Sequence, residues 1–167
     1  PMFDLRLTFA AGSSRDGDTP GLAMLTNVML NEGVAGSDAN AIAQGFESLG
    51  AQYAPGTDLD TAQVSLRSLS AKDKREPALT LFAEVVGKPT FPDDAYARLR
   101  NQTLATFEDQ KHDPGKLASL ELMNRLYGNH PYAHASGGTA QAIPSITPAQ
   151  LRTFHEKTYA AGNVVIA

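Results

Sequence analysis

Few side chains in this sequence have the chemistry of an active site, and the histidines come first among them. His130 and His134 stand four residues apart, a spacing that on a helix would place both rings on one face as metal ligands. Pro131 follows His130 directly, so the pair falls in a turn rather than in a helix. We therefore favour a plain loop over a metal site here. His155 sits on a predicted helix without a second ligand nearby, and we expect it to face solvent.

Carboxylates offer a second kind of chemistry, because a pair of them can act as general acid and general base. Asp58, Asp60 and the Asp93–Asp94 pair all stand at predicted turns or helix starts, where Asp commonly accepts hydrogen bonds from backbone N–H groups. Turn and capping roles are the favoured interpretation. An enzyme with a non-standard site that uses His130, His134 and Asp60 remains an open alternative.

Serine, glycine and cysteine give no further site. Gly137-Gly138 follows no strand and precedes no P-loop lysine, so it is too slight to cradle a phosphate. Ser13, Ser14 and Ser37 have no histidine partner that the sequence identifies. The absence of Cys excludes a thiol nucleophile and a thiolate metal site. On residue chemistry alone, no active site can be assembled.

Apolar side chains alternate with polar ones where the sequence predicts strands. Residues 3–9 and 61–69 show this period of two, which is typical of half-buried strands. Residues 51–57 precede the second of these runs across a short connection, which predicts an antiparallel hairpin. A last strand is predicted at residues 163–167.

Helical spacing and capping residues predict the remaining elements. Thr19 and Pro20 form a typical helix start, so a helix is predicted from Pro20 to about Asn31, with apolar side chains on two sides. A later helix ends at Gly87 and contains Pro77, which we expect to lie near its first turn. Further helices are predicted at 38–49, 93–112, 116–126 and 148–159. The order predicts an α+β fold, in which several helices pack on one face of an antiparallel or mixed sheet.

Length and composition bound the function. The 167 residues suit a single domain, and a net charge of -4 without a basic stripe argues against nucleic acid as a partner. No apolar run is long enough to cross a bilayer, and the first residues lack the layout of a signal peptide. Because Pro1 is not a native start and the sequence stops inside a predicted strand, we expect a fragment of a longer chain.

A set of short runs stands in a fixed order along nearly the full length of the sequence. These runs are Phe9–Ser13, Pro20–Ala23, Met29–Gly33, Phe46–Ala51, Val64–Leu66, Lys88–Phe91, Leu126–Tyr132, Ile146–Pro148 and Phe154-His155. The ordered set resembles the pitrilysin/insulinase family of zinc peptidases, the inverzincins, which includes paired bacterial subunits, mitochondrial processing peptidase and respiratory-complex core proteins. The resemblance implies a half-domain of the processing-peptidase type. Residues 1–167 would then form most of one half-domain of a longer two-domain subunit.

Zinc chemistry in that family depends on H-x-x-E-H on the first helix, where two histidines hold the metal and the glutamate activates its water. The resemblance aligns these three positions with Met24, Asn27 and Val28, which supply neither an imidazole nor a carboxylate. The family's third ligand, a glutamate, would fall within residues 104–107, which contain no carboxylate; Glu108 is only a near neighbour. The resemblance therefore implies a degenerate motif, with no catalytic residue, cofactor or metal in this chain.

Without zinc chemistry, the role that the resemblance still implies for this chain is the binding of peptides. The resemblance implies a non-catalytic domain that forms a peptide-binding chamber with a partner, a catalytic zinc-peptidase subunit that has an intact H-x-x-E-H. Zinc is then expected in the partner, and a peptide or an unfolded protein as substrate. A structural subunit of a larger complex, like the core proteins, is the alternative. Relatives of the paired bacterial type suggest the periplasm or cell envelope.

Overall fold

The computed structural model describes residues 1–167 and contains six α-helices and a four-stranded sheet. The strands are β1 (Met2–Phe9), β2 (Gly33–Val34), β3 (Ser37–Asp38), β4 (Gln52–Thr57), β5 (Ala62–Leu69) and β6 (Val164–Ile166), of which β2 and β3 form a separate small hairpin. The helices are α1 (Leu22–Val28), α2 (Ala39–Ser48), α3 (Lys72–Gly87), α4 (Asp93–Gln110), α5 (Pro114–Tyr127) and α6 (Pro148–Thr158). None of them has the length and apolar character that crossing a bilayer requires.

The main sheet has the strand order β4-β5-β1-β6, and every neighbouring pair is antiparallel. In β5 the side chains of Ala62, Val64 and Leu66 are fully buried, while the residues between them face the other side of the sheet. On that other side, Arg67 and Asp4 form an exposed ion pair at 2.7 Å. One face of the sheet therefore carries the core, as the alternating pattern predicts.

Helices cover the buried face. Tyr53 of β4 packs between Phe46 of α2 and Phe82 of α3, with ring centroids at 5.6 and 6.1 Å. Leu25 of α1 and Leu151 of α6 are fully buried in the same core. The arrangement confirms the predicted α+β fold with helices on one face of the sheet.

The predicted bounds of two helices are wrong. The first helix begins at Leu22 rather than Pro20, and the chain tightens into a 3₁₀-helix at Leu30–Glu32. The third helix begins at Lys72, more than a turn before Pro77. Its first turn closes through the N–H groups of residues 74 and 75, which both donate to the carbonyl of residue 71, so the helix is established before proline removes a donor.

Candidate functional site

A buried carboxylate accepts hydrogen bonds at the N-terminus of α1, the helix that carries the positions aligned with H-x-x-E-H. Asp16 is only 4% exposed, and its two oxygens accept hydrogen bonds from the N–H groups of Gly21 and Ala23, both at 2.7 Å. Because these acceptors come from outside the helix, Thr19 does not act as the predicted cap. Burial raises the pKa of the Asp16 carboxyl, and the two N–H donors oppose that shift.

A close backbone approach fixes the same end of α1. Gly21 and Gly138 both have a positive φ, of 103° and 87°. A Cβ atom on Gly138 would lie 2.5 Å from the carbonyl oxygen of Pro20, a distance at which something must shift. Gly137 has no atom within 4 Å of the corresponding position. Gly138, but not Gly137, is therefore required for the close packing of this loop against the start of α1.

The three positions aligned with H-x-x-E-H all lie on α1. Met24 and Val28 are half-buried and pack against the core, whereas Asn27 is fully buried. The amide nitrogen of Asn27 donates to the hydroxyl of Tyr159 at 3.0 Å and to the carbonyl of Gln63 at 3.3 Å. Its amide oxygen has no hydrogen-bond partner. Asn27 therefore ties α1 to the sheet and to the chain just beyond α6.

Tyr159, which accepts the hydrogen bond from Asn27, is held in place by other aromatic rings. Its ring lies 4.6 Å from that of Phe9 and stacks on His155 at 4.9 Å. Burial raises the pKa of the Tyr159 hydroxyl, and the hydrogen bond from Asn27 opposes the shift. The phenol is thus a neutral member of the core at physiological pH.

The expectation that His155 faces solvent is wrong. The residue is 8% exposed, its Nε2 lies 2.8 Å from the carbonyl oxygen of Val86, and its ring meets Phe91 edge-on. Burial lowers the pKa of the imidazole, while the bond to the Val86 carbonyl opposes that shift. A neutral ring that donates to this carbonyl satisfies both groups. The spacing of Leu151, His155 and Thr158 on one buried face of α6 is the signal that locates it.

A groove of about 810 Å³ lies between α4, α5 and the loop that follows α5, and residues 14–18 border it as well. Phe107 of α4 and Leu117 and Leu120 of α5 supply its large apolar side chains. His130 and His134 line it from the loop. The contribution of α5 to the groove could not be predicted from the sequence, because a single helical pattern does not show which side of the helix borders a groove.

The loop that follows α5 also carries a cluster of polar and aromatic side chains around Tyr132. The Tyr132 hydroxyl donates to the Asp60 carboxylate, with both oxygens at 2.7 Å, and the Tyr132 N–H donates to Nδ1 of His130 at 3.2 Å. The hydrogen bond to Asp60 raises the pKa of the Tyr132 hydroxyl. The Nδ1 atom of His134 instead lies 3.1 Å from the carbonyl oxygen of Ala135. Tyr132, which the sequence analysis left out, is what joins Asp60 to His130.

The remaining predicted carboxylates have structural roles. Asp58 accepts from the N–H groups of Asp60 and Thr61, at 2.9 and 2.7 Å, and these bonds, above all that from Thr61, lower its pKa. Asp93 and Asp94 lie in the first turn of α4, where a negative charge favours the helix N-terminus. The turn role predicted for Asp58 is confirmed, whereas the capping role predicted for Asp93 and Asp94 is wrong, because Pro92 takes the N-cap position of α4 and no side chain caps the helix.

The residues present do not fit a zinc ion. The structure contains no group of three or more His, Cys, Asp or Glu side chains that could hold a metal. On α1 the available groups are a thioether, an amide and an alkyl chain, which are not the imidazole and carboxylate ligands that zinc takes in peptidases. We therefore derive no zinc-dependent step on this chain.

Comparisons with known proteins identify the family to which this chain is similar. The family model of insulinase (peptidase family M16) matches residues 2–140. The non-peptidase homolog YmxG of Helicobacter pylori is 30% identical over 167 residues, which cover 99% of this chain and 38% of that protein. The chain thus spans well under half the length of this curated relative.

Solved structures agree with the family match. A crystal structure of a peptidase M16 inactive domain from Pseudomonas fluorescens is 73% identical with a TM-score of 0.99, over 100% of this chain and 40% of that one. The periplasmic protease PqqL of Escherichia coli has a TM-score of 0.87 at 21% identity, over 99% of this chain and 19% of its own, and shares the fold alone. The chain therefore belongs to the insulinase family, peptidase family M16, as a peptidase-like domain that has an inactive domain and a non-peptidase homolog among its relatives.

Proposed function

We propose that this domain is a non-catalytic M16 unit that helps form a peptide-binding chamber with a catalytic partner subunit. The partner carries the intact H-x-x-E-H and the zinc. Residues 1–167 form most of one half-domain of a longer two-domain subunit. The observation that carries the proposal is the groove of about 810 Å³. It is concave and combines a few large apolar side chains with polar groups that can orient a ligand.

The place of the groove relative to the aligned zinc positions supports this function. Phe107, which lines the groove, belongs to the stretch that we aligned with the family's third zinc ligand. An apolar ring at that position favours contact with a substrate side chain over metal coordination. The loop with His130 and His134 then supplies hydrogen-bonding groups for a peptide backbone.

The residues at the aligned positions of α1 explain why the domain could bind a peptide without cleaving it. A zinc site needs polar ligands held in a cavity, and each polar group that is buried without a partner costs free energy. Met24 and Val28 remove those groups and pack against the core, while Asn27 is tied to Tyr159. The domain therefore keeps the shape of its family without the ligands.

Co-expression with an M16 protein that has an intact H-x-x-E-H tests the function. We expect the pair to cleave peptides in a chelator-sensitive manner, and neither chain to do so alone. Leu117→Arg and Leu120→Arg in the groove should weaken peptide binding by about tenfold or more, because each places a charge in an apolar lining. Thr80→Arg on the exposed surface of α3 is the matched control and should leave binding unchanged.

Two results would contradict the proposal. One is chelator-sensitive cleavage by this chain alone, together with stoichiometric zinc in the purified protein. The other is a stable pair whose peptide binding is the same with the groove variants as with Thr80→Arg.

A further inference from the structure

Helix α5 stands out because the domain buries none of its residues. Five of the nine exposed large hydrophobic side chains of the chain lie on it: Leu117, Leu120, Leu122, Leu126 and Tyr127. A helix of 14 residues is marginal in water without tertiary packing. Such a concentration of exposed apolar side chains marks an interaction surface.

The helix has two distinct apolar sides. Leu117, Leu120 and Asn124 line the groove, which fixes the direction of one side. At 100° per residue, Leu122 and Leu126 project on the opposite side of the helix. They are 57% and 66% exposed, and we call this surface the outer face of α5. A ligand in the groove would leave the outer face uncovered.

The size of the outer face limits what can cover it. Two leucines exposed to this extent, with the small residues Ala118 and Ser119 beside them, offer on the order of 300 Å² of mostly apolar surface, whereas a stable interface between separate proteins buries roughly 800 Å² per partner in all. A surface of this size is sufficient when both sides belong to one chain, because tethering supplies an effective concentration in the millimolar range.

The charges around the outer face argue against a lipid surface. Helices that lie on membranes carry many Lys and Arg residues on their polar side. Helix α5 has Lys116 and Arg125 only, and Arg125 forms an ion pair with Glu121 at 2.5 Å.

We propose that the outer face of α5 is a docking surface for another domain of the same, longer polypeptide. The relatives support a longer chain, since residues 1–167 cover 38% of the Helicobacter pylori homolog and 40% of the Pseudomonas fluorescens chain. The docked segment presents an apolar surface to Leu122 and Leu126. This contact leaves the groove side of α5 free.

Photo-crosslinking in the longer protein tests the proposal. A benzophenone amino acid replaces Leu122 in one sample and Leu126 in a second, so that one position remains if the other label disturbs folding. The same label at Lys72, whose side chain is 78% exposed on α3, is the control. We expect crosslinks from positions 122 and 126 to peptides outside residues 1–167 of the same molecule, with a yield about tenfold above the control and unchanged by about 100-fold dilution.

Other outcomes overturn the proposal. A yield that falls on dilution, with products of doubled mass, identifies a second molecule as the occupant. Crosslinks to lipid identify a membrane surface. If positions 122 and 126 give no more product than position 72, and the amides of residues 118–127 exchange within about tenfold of the rate of a free peptide, the outer face is uncovered.

Discussion

Replacing Asn27 with Asp tests whether the position aligned with the general base of the zinc peptidases can still hold a carboxylate. In the wild-type chain the amide nitrogen of Asn27 donates to Tyr159 at 3.0 Å and to the Gln63 carbonyl at 3.3 Å. Asp places an oxygen where that nitrogen lies, so the contact with the Gln63 carbonyl becomes repulsive. The Tyr159 hydroxyl can turn its proton toward the new carboxylate.

The expected loss of stability follows from these contacts. An incompletely compensated buried charge costs about 3–5 kcal/mol, and a hydrogen bond to a charged group offsets about 1.5–3 kcal/mol of that. The oxygen of Asn27 already lacks a partner, so the second carboxylate oxygen gains none. We expect Asn27→Asp to lower the free energy of unfolding by about 2 kcal/mol at neutral pH.

The loss should depend on pH. Burial raises the pKa of the new carboxyl in the folded state above its ordinary value of about 3.9. The folded state then binds a proton more tightly than the unfolded chain does. The loss is therefore full above the raised pKa and shrinks as pH falls, and it is smallest below the unfolded pKa.

Urea unfolding followed by far-ultraviolet circular dichroism measures this effect, at about pH 8 and about pH 5. Asn27→Leu is the control, since it has a similar volume and no titratable group, and its effect should be the same at both values. A loss below about 0.5 kcal/mol at pH 8, or a pH-independent loss shared by both variants, would refute the reasoning.

Three further predictions test the contacts around the site. Asp16→Ala removes the acceptor of two N–H groups and should lower the free energy of unfolding by about 2 kcal/mol, with Asp16→Asn intermediate; equal stability of the wild type and Asp16→Ala in urea would contradict the capping role. His155 has a lowered pKa when folded, so the unfolded chain binds its proton more tightly and wild-type stability falls as pH drops below about 6.5. His155→Gln should reduce that slope, and an unchanged slope would show that His155 does not cause it. Gly138→Ala should lower the melting temperature by about 5 °C, whereas Gly137→Ala should change it by about 1 °C or less; equal shifts would contradict the close approach to Pro20.

The strands could be predicted because their information is local. In β5 the alternation of Ala62, Val64 and Leu66 with polar residues directly reflects one buried face. Asp58 could be predicted as a turn residue for the same reason, since its carboxylate bonds to N–H groups two and three residues ahead.

The start of α1 could not be predicted from local signals. Thr19 and Pro20 look like a helix start, but the acceptors come from Asp16, which lies beyond a turn and is buried by other elements. His155 shows the opposite case, because its spacing from Leu151 and Thr158 on α6 is a local signal of burial. The link from Asp60 through Tyr132 to His130 joins residues far apart in sequence, and only the folded chain brings them together.

The motif positions on α1 lie outside the lining of the groove, whereas Phe107, in the stretch aligned with the third zinc ligand, is part of it. Asn27 joins α1 to Gln63 of the sheet and to Tyr159, so a change that restores a glutamate there would disturb the core before it could act on a water. The downstream ligand is also missing, since residues 104–107 contain no carboxylate. The groove beside α5 is lined by α4, α5, the loop that follows and residues 14–18, and neither Asn27 nor its partners Gln63 and Tyr159 line it. Met24→His, Asn27→Glu and Val28→His together should therefore give a less stable protein without peptidase activity, while variants of the groove change binding and leave the fold intact.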